Sequence, residues 1–386
     1  MSLTPPPNTR AIRAYLAAPH AEMAAELGRF TTEAIATLPE PPDDEAARVQ
    51  AREVLARLGG AGWFAPIVEM DFRGCCIVRE GLAAVSPLAD AVFALQALGT
   101  LPILLAEAPA IRERWLAAAR TGRAMAAFAM TEPEAGSDVA SLATSARRDG
   151  DGWVLNGTKT LISNAGIADF YTLFASTDRA LGHKGIACFV IPAQTPGLKF
   201  VRPQVLSAPH PLGEIALTDC RVPDAFLLAG PGAGFKLGLA TLDRLRATVG
   251  AAACGMAARA LAEAVAHARS RRQFGRPLSE FQLVQDKIAR MATDLTAARL
   301  LVYRAAWEAD NGAERVTVEA AMAKAYATEA AQRIIDDAVQ ILGGRGVLAE
   351  HPVERLYRAI RSLRIYEGTT EIQHLVIAGQ ILAGAP

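Results

Sequence analysis

A mainly α chain with a central β domain is what this sequence predicts, and three observations carry the prediction. Apolar residues recur at helical spacing within residues 1–123. Between 124 and 230 the apolar runs shorten, and glycine, proline or asparagine separates them. From 231 to 386 the helical period returns in long stretches. The expected order is an N-terminal helical domain (1–123), a small antiparallel β domain (124–230) and a C-terminal helical bundle (231–386).

In the first segment, Val49, Val54, Leu55 and Leu58 have helical spacing ahead of Gly59-Gly60. A second helix is expected over Gly81 to Leu98, interrupted or kinked near Pro87, and a third over Ala110 to Ala119. Pro39 to Glu45 reads as an acidic link. The strand candidates are Ala126 to Met130, Trp153 to Leu155 after the hairpin signal Asp149-Gly150-Asp151-Gly152, Thr160 to Ser163, Tyr171 to Ala175, Gly185 to Ile191, Leu198 to Val201 and Glu214 to Leu217. Leu237 to Ala268 and Val318 to Leu342 follow as long helices, the latter ended by Gly343-Gly344. Between them Val284, Ile288, Met291, Leu295, Ala298 and Val302 form the stripe of a bundled helix.

Composition narrows the function. Lys+Arg and Asp+Glu balance at 40 each, so no global field favours nucleic acid or an anionic membrane. No run approaches the ~18 consecutive apolar residues of a membrane span. Met1 to Arg10, with Pro5, Pro6 and Pro7, lacks the order of a signal peptide. Cys75, Cys76, Cys188, Cys220 and Cys254 form no C-x-x-C and read as reduced, mostly buried thiols of a cytoplasmic protein. The six histidines have no metal-ligand spacing, so no protein-bound metal is expected. Gly230-Pro231-Gly232-Ala233-Gly234 precedes a helical bundle rather than a βαβ unit, which disfavours a dinucleotide turn and suits a flexible lead into a helix near Phe235. Neither a P-loop nor a G-x-S-x-G elbow occurs.

Near the C-terminus, Ile365-Tyr366-Glu367-Gly368-Thr369-Thr370-Glu371-Ile372-Gln373 places a carboxylate before a glycine and two threonines at a helix start, where a threonine can accept from the free backbone N–H groups as a cap. Such a turn suits a general base held close to a ligand, although an acidic residue near a helix N-terminus is also favoured by the dipole alone. Six further segments stand ahead of it: Thr131-Glu132-Pro133-Glu134-Ala135-Gly136-Ser137-Asp138, Asn156-Gly157-Thr158-Lys159 leading to Ile162-Ser163-Asn164, Arg221-Val222-Pro223, Gly234-Phe235-Lys236, Arg271-Arg272-Gln273-Phe274-Gly275 and Gln340-Ile341-Leu342-Gly343-Gly344. Together the seven resemble the acyl-CoA dehydrogenase family of flavoproteins over nearly the whole chain, least before about Glu80.

The resemblance implies an α–β–α subunit with a C-terminal four-helix bundle and FAD held between the β domain and the bundle. It implies that Glu367 removes the α-proton of an acyl-CoA while the β-hydrogen leaves as hydride to flavin N5, in fatty acid metabolism. Flavin contacts carry over to Phe128, Met130, Thr131, Ser137, Leu161, Ser163, Thr369 and Glu371. Arg271, Phe274, Gln282, Gln340, Gly343 and Gly344 match adenine and pyrophosphate contacts, Arg271 and Phe274 from a neighbouring subunit. Ser137, Asp243, Arg246 and Gly368 match substrate contacts; Asp243 and Arg246 read equally well as an i,i+3 helix ion pair. An alternative base position falls on Leu245, which takes no proton. The implied partners are an electron-transfer flavoprotein and further copies of the chain, as a dimer or tetramer.

Three departures stand out. Leu161 occupies a position where the family usually has an aromatic residue. Ser207-Ala208-Pro209-His210-Pro211-Leu212-Gly213 replaces a Gly/Ser-rich loop, with two prolines that should stiffen it. The N-terminal region matches poorly, which leaves the acyl group open. A flavin oxidase or monooxygenase on the same scaffold, and a catalytically silent FAD-bound binding protein, are the competing readings.

Overall fold

The computed structural model describes residues 7 and 9–384, so most of the segment weighed as a signal peptide lies outside the described residues. Along the chain run α1 (Ala18–Phe30), α2 (Asp44–Gly60), α3 (Ala65–Glu69), α4 (Phe72–Val85), α5 (Pro87–Leu105) and α6 (Pro109–Arg120). The strands follow: β1 (Ala126–Ala129), β2 (Ser145–Asp149), β3 (Gly152–Ser163), β4 (Phe170–Ser176), β5 (Ile186–Pro192), β6 (Leu198–Pro203), β7 (Leu212–Pro223) and β8 (Leu227–Ala229). Five helices complete the chain: α7 (Ala233–Ser270), α8 (Gln282–Asp310), α9 (Thr317–Leu342), α10 (Pro352–Leu363) and α11 (Thr370–Leu382). The helix, sheet, helix-bundle order is the expected one. By packing, the chain forms two compact units. One is Met1–Pro39, Asp71–Asp90 and Asp243–Pro386; the other is Glu40–Met70 and Ala91–Leu242.

The sheet unit holds eight strands in the order β6-β7-β3-β2-β4-β5-β8, with β1 beside β4. Here the structure corrects the sequence reading: the sheet is mixed, not antiparallel. β1 pairs β4 in parallel, and β2 touches β4 in parallel at Ser145 and Ser176. Apolar runs fix which residues are buried but not the direction of the partner strand. The two strand candidates around Asn156-Gly157 are one twelve-residue strand, β3, paired with an equally long β7 through two irregularities. Gly157 sits in one of them, and a Cβ there would lie 2.5 Å from Thr144 Oγ1, so this glycine marks a bulge rather than a turn. Both faces of the sheet are covered. Phe170 and Phe174 of β4 point into one apolar cluster, and Tyr171, Leu173 and Ala175 into the other. The lead into α7 is also tighter than expected. Gly234 lies in the first turn of the helix, where a Cβ would come within 2.4 Å of the β5 backbone at Ala187.

The helical unit is built on alanine. Ala320, Ala323, Ala327, Ala330, Ala331 and Ala338 are buried along α9, and α8, α10 and α11 pack on it. The α8 stripe is as expected, with Met291, Leu295, Ala298 and Val302 buried. The helix expected over Gly81 to Leu98 is two, parted at Ser86. α5 and α7 are long and apolar enough to span a bilayer by length and composition, but 78% and 61% of their most apolar windows are buried in the fold, as in core helices.

Polar groups tie α4 to α8. The buried Glu80 carboxylate accepts from Arg299 Nε at 2.8 Å and from the Tyr303 hydroxyl at 3.0 Å. α7 passes so close that a Cβ on Gly255 would stand 2.1 Å from the Glu80 carbonyl oxygen. Glu80→Ala leaves the Arg299 guanidinium buried without its counter-charge and is expected to cost about 3–5 kcal/mol. Urea unfolding reads this directly; a loss below about 1 kcal/mol would show that the network does not hold α4 to α8.

Candidate active site

Glu367 lies in the turn between α10 and α11, and its backbone is left-handed at φ +55°. Gly368 follows at φ +92°, a conformation that suits glycine. Thr369 caps α11, its hydroxyl accepting from the Ile372 N–H at 3.3 Å, which is the cap expected from the two threonines.

Charged and amide donors from three helices seize the carbonyls of this turn. Lys324 Nζ of α9, fully buried, donates to the Gly368 carbonyl at 2.7 Å. Gln373 Nε2 of α11 donates to the same oxygen at 3.0 Å and to the Glu367 carbonyl at 3.2 Å. Arg246 Nε of α7 approaches the Glu367 carbonyl at 3.4 Å. Beneath, Glu329 accepts from the Thr370 hydroxyl and from Arg364 Nε, both at 2.7 Å. With their carbonyls held, the N–H groups of Glu367, Gly368 and Thr369 have no acceptor among the described residues.

The Glu367 side chain is partly reached by solvent, yet its Oε2 is sealed off and has no hydrogen-bond partner among the described residues. Burial raises its pKa above the ordinary carboxylate value, against the fields of Arg79, Lys324 and Arg246, while Asp90 adds to the rise. Arg79 and Asp90 form a bidentate pair at 2.8 and 3.0 Å, 1% and 2% exposed, and Arg79 also donates to Thr248 at 3.0 Å. Arg246 pairs with Asp243, which accepts from Thr317 at 2.8 Å. The two readings of Asp243 and Arg246 therefore coexist: the i,i+3 ion pair forms and also reaches the Glu367 turn. Among the described residues Lys324 is the cation of the three without a carboxylate partner in hydrogen-bond range, and burial lowers its pKa to about 8.

The sheet unit gathers a second group. Thr160 N–H donates to the Thr131 carbonyl at 3.1 Å, which sets the Met130-Thr131 segment beside the end of β3. Fully buried Lys159 binds the Met130 carbonyl at 3.1 Å and Glu132 at 2.7 Å. Leu161 sits in the second irregularity of β3 at φ +55°, 54% exposed, its N–H held by Gln204 Oε1 at 2.7 Å. Phe128 is half-buried against Phe174, Met130 is buried, Ser163 half-buried and Ser137 exposed.

The remaining expected residues form a third group in the helical unit. Arg271 and Phe274 occupy an exposed hairpin after α7, with Phe274 94% exposed at φ +51°. Phe274 meets Phe281, the residue before Gln282. Gly343 and Gly344 end α9, following Gln340. Among the described residues this group makes no hydrogen bond to the Glu367 turn. Lys324, Gln373, Arg79, Asp90, Lys159 and Gln204 were not singled out from sequence as site residues. Of these, Lys159 and Gln373 lay in segments already marked.

Comparison with known proteins covers the same ground. Residues 127–220 match the family model described as acyl-CoA dehydrogenase, middle domain, and residues 232–382 the model for the C-terminal domain. The human mitochondrial short-chain specific acyl-CoA dehydrogenase is 41% identical, over 86% of this chain and 79% of its own. A 3-(aryl)acrylate reductase of Clostridium sporogenes is 38% identical, over 89% of this chain and 94% of its own. The solved structure of butyryl-CoA dehydrogenase from Megasphaera elsdenii superimposes with a TM-score of 0.88 at 32% identity, covering 95% of this chain and 99% of that one.

The turn itself is testable apart from any activity. A Cβ on Gly368 would fall 2.5 Å from Gln373 Nε2 at a φ that side chains avoid. Gly368→Ala is expected to cost about 1–3 kcal/mol and to speed amide exchange at Thr370 and Gln373. Unchanged thermal stability and exchange would show the turn to be tolerant.

Proposed function

The chain belongs to the acyl-CoA dehydrogenase family, and from that premise we propose that it oxidises an acyl-CoA to the trans-2-enoyl-CoA with Glu367 as the base. One observation carries the reading: a carboxylate oxygen sealed from water, unpaired, with its pKa raised, on a turn whose N–H groups are free. An α C–H beside a thioester is too weak an acid for a carboxylate unless the carbonyl oxygen is polarised as charge develops. The Glu367 N–H is the donor offered for that oxygen, and Oε2 is the atom that takes the proton. Asp243, Arg246, Gly368 and Ser137 are the proposed substrate contacts.

FAD fits the residues present. Half-buried Phe128 and exposed Leu161 offer apolar surface for a planar ring, buried Met130 is proposed as a contact through its backbone, Thr131 and Ser163 offer hydroxyls, and the exposed Arg271 guanidinium suits a pyrophosphate. When bound, FAD supplies the two-electron oxidant that accepts the β-hydrogen as hydride. Thr369 and Glu371 beside the base, and Phe274, Gln282, Gln340, Gly343 and Gly344 in the hairpin group, are the further proposed contacts.

The acyl group proposed is short. Arg79 and Asp90 act directly on Glu367, are almost fully buried and satisfy one another, so an alkyl chain extended toward them would meet a desolvated ion pair. An electron-transfer flavoprotein is the proposed acceptor. An oxidase remains the second reading, favoured by the exposure of Leu161 where the family usually has an aromatic residue. A homo-oligomer, dimer or tetramer, is supported by exposed Phe274, Leu283, Leu375 and Leu382, and by a hairpin group standing apart from the Glu367 turn. A reducing, cytoplasmic location is supported by five buried cysteines without disulfides.

Anaerobic flavin bleaching tests the assignment. Butyryl-CoA is expected to bleach the flavin at least about tenfold faster than octanoyl-CoA. Glu367→Gln is expected to keep its FAD and lose bleaching by more than about a thousandfold. Near-normal bleaching in that variant would remove Glu367 as base. Rapid reoxidation by air would move the reading to an oxidase.

The pH dependence should be bell-shaped. The rate climbs as Glu367 ionises, at a pH above that of an ordinary glutamate, and falls as Lys324 loses its proton near its pKa of about 8 and with it the charge that holds the Gly368 carbonyl and the turn in place. Lys324→Met is expected to abolish the alkaline limb and lower the maximum; an alkaline limb unchanged in that variant would assign it to another group.

A further inference from the structure

The charges beside the base bear on what the far end of the acyl group can carry, as well as on its length. A buried guanidinium is a natural receiver for a carboxylate, because its planar fork donates two parallel hydrogen bonds to the two oxygens. Arg79 of α4 is such a group, 1% exposed. Its charge acts on Glu367 and on the hydroxyl of Tyr366, the residue before the base. A ligand whose reacting carbon stands at Glu367 therefore lies within the field of Arg79.

The fork is already filled, and from within the chain. Arg79 Nε and Nη2 donate to the two oxygens of Asp90 at 2.8 and 3.0 Å, and Nη1 donates to the Thr248 hydroxyl at 3.0 Å. Thr248 gives its own proton to the Leu245 carbonyl at 2.7 Å, so its oxygen is free to accept. Asp90 sits in the first turn of α5, 2% exposed, and its N–H donates to the Ser86 carbonyl at 3.1 Å. Neither partner can leave without stranding the other, buried and unpaired. The other two cations acting on Glu367 are engaged as well, Arg246 by Asp243 and Lys324 by the Gly368 carbonyl. A further carboxylate brought in by a ligand would meet the negative charges of Glu367 and Asp90, with each of these three cations already taken.

We propose that Asp90 is a specificity-determining residue: by filling the Arg79 fork it excludes acyl-CoA thioesters that carry a terminal carboxylate and leaves the site to uncharged acyl groups. The inference rests on the reading that Glu367 is the base for an acyl-CoA.

Glutaryl-CoA and pentanoyl-CoA are matched in acyl carbons and differ in the terminal carboxylate, so the pair isolates the charge. With the FAD-loaded wild type, anaerobic bleaching is expected to be at least about a hundredfold slower with glutaryl-CoA. Asp90→Ala empties the fork and is expected to raise the glutaryl-to-pentanoyl ratio of kcat/KM at least about tenfold. Both thioesters use the same base, so any loss of basicity at Glu367 cancels in that ratio. Arg79→Met combined with Asp90→Ala removes the receiver too and is expected to show no such gain. Acetate is expected to raise the melting temperature of Asp90→Ala saturably, and neutral acetamide is not, a readout that needs no turnover. If Asp90→Ala does not fold, Asp90→Asn, which keeps the volume and drops the charge, takes its place in the ratio. A wild type that bleaches equally fast with both thioesters, a ratio unmoved in the folded Asp90 variant, or an Asp90→Ala protein indifferent to acetate would overturn the inference and leave Glu367 as the base. Bleaching by neither thioester, nor by butyryl-CoA, in the wild type would instead overturn the dehydrogenase reading beneath it.

Discussion

The left-handed backbone at Glu367 is the constraint on which the helical unit depends. A non-glycine residue in that conformation costs on the order of 1–3 kcal/mol and persists only where its surroundings over-determine it. Here they do. Lys324, Gln373 and Arg246 come from α9, α11 and α7 to hold two consecutive carbonyls, while Glu329 fastens Arg364 and Thr370 on either side. Hydrogen bonds with a charged partner are worth roughly 1.5–3 kcal/mol each, enough to outweigh the strain. The consequence is chemical as well as structural. Donors that saturate the carbonyls leave the N–H groups of the turn, and one carboxylate oxygen, for a ligand.

The sheet unit repeats the device with different parts. Leu161 is turned out of β3 by an irregularity in its pairing, and Gln204 locks it by accepting from its N–H while donating to Thr160 at 2.8 Å. Phe274, on its hairpin, is the third residue in this position. Six non-glycine residues among those described have positive φ, and half of them, Leu161, Phe274 and Glu367, are residues that the sequence had already marked for cofactor or catalysis.

Much of this was legible beforehand, and the limits have physical causes. Periodicity located the long helices, because burial on one face imposes it, and Thr369 was readable as a cap because capping is local. The strand directions were not, since a mixed sheet and an antiparallel one use the same apolar runs. The site was legible where its residues are contiguous, as around Glu367, and illegible where a single side chain arrives from far along the chain. Lys324 sits in an alanine-rich helix like any solvent-facing lysine, and only the fold shows it buried against Gly368. Arg79 and Asp90 likewise look like the polar punctuation of two helices until both prove to be sealed inside.

The charges around Glu367 explain why these particular partners are needed. A unit positive charge about 6 Å away, in an effective dielectric of about 20, would stabilise an ionised carboxylate by roughly 3 kcal/mol, or about two pKa units. Three unneutralised cations would therefore overwhelm burial and hold the Glu367 pKa low, against the role of base proposed for it. The structure neutralises two of them one for one: Asp90 grips Arg79 in a bidentate pair, and Asp243 answers Arg246. Lys324 remains, and burial weakens its grip on the proton until its pKa falls to about 8. The net result is a carboxylate whose pKa is raised despite three cationic neighbours. Removing Asp90 or Asp243 should consequently act on Glu367 in the same direction as adding a positive charge, although neither residue is bonded to it.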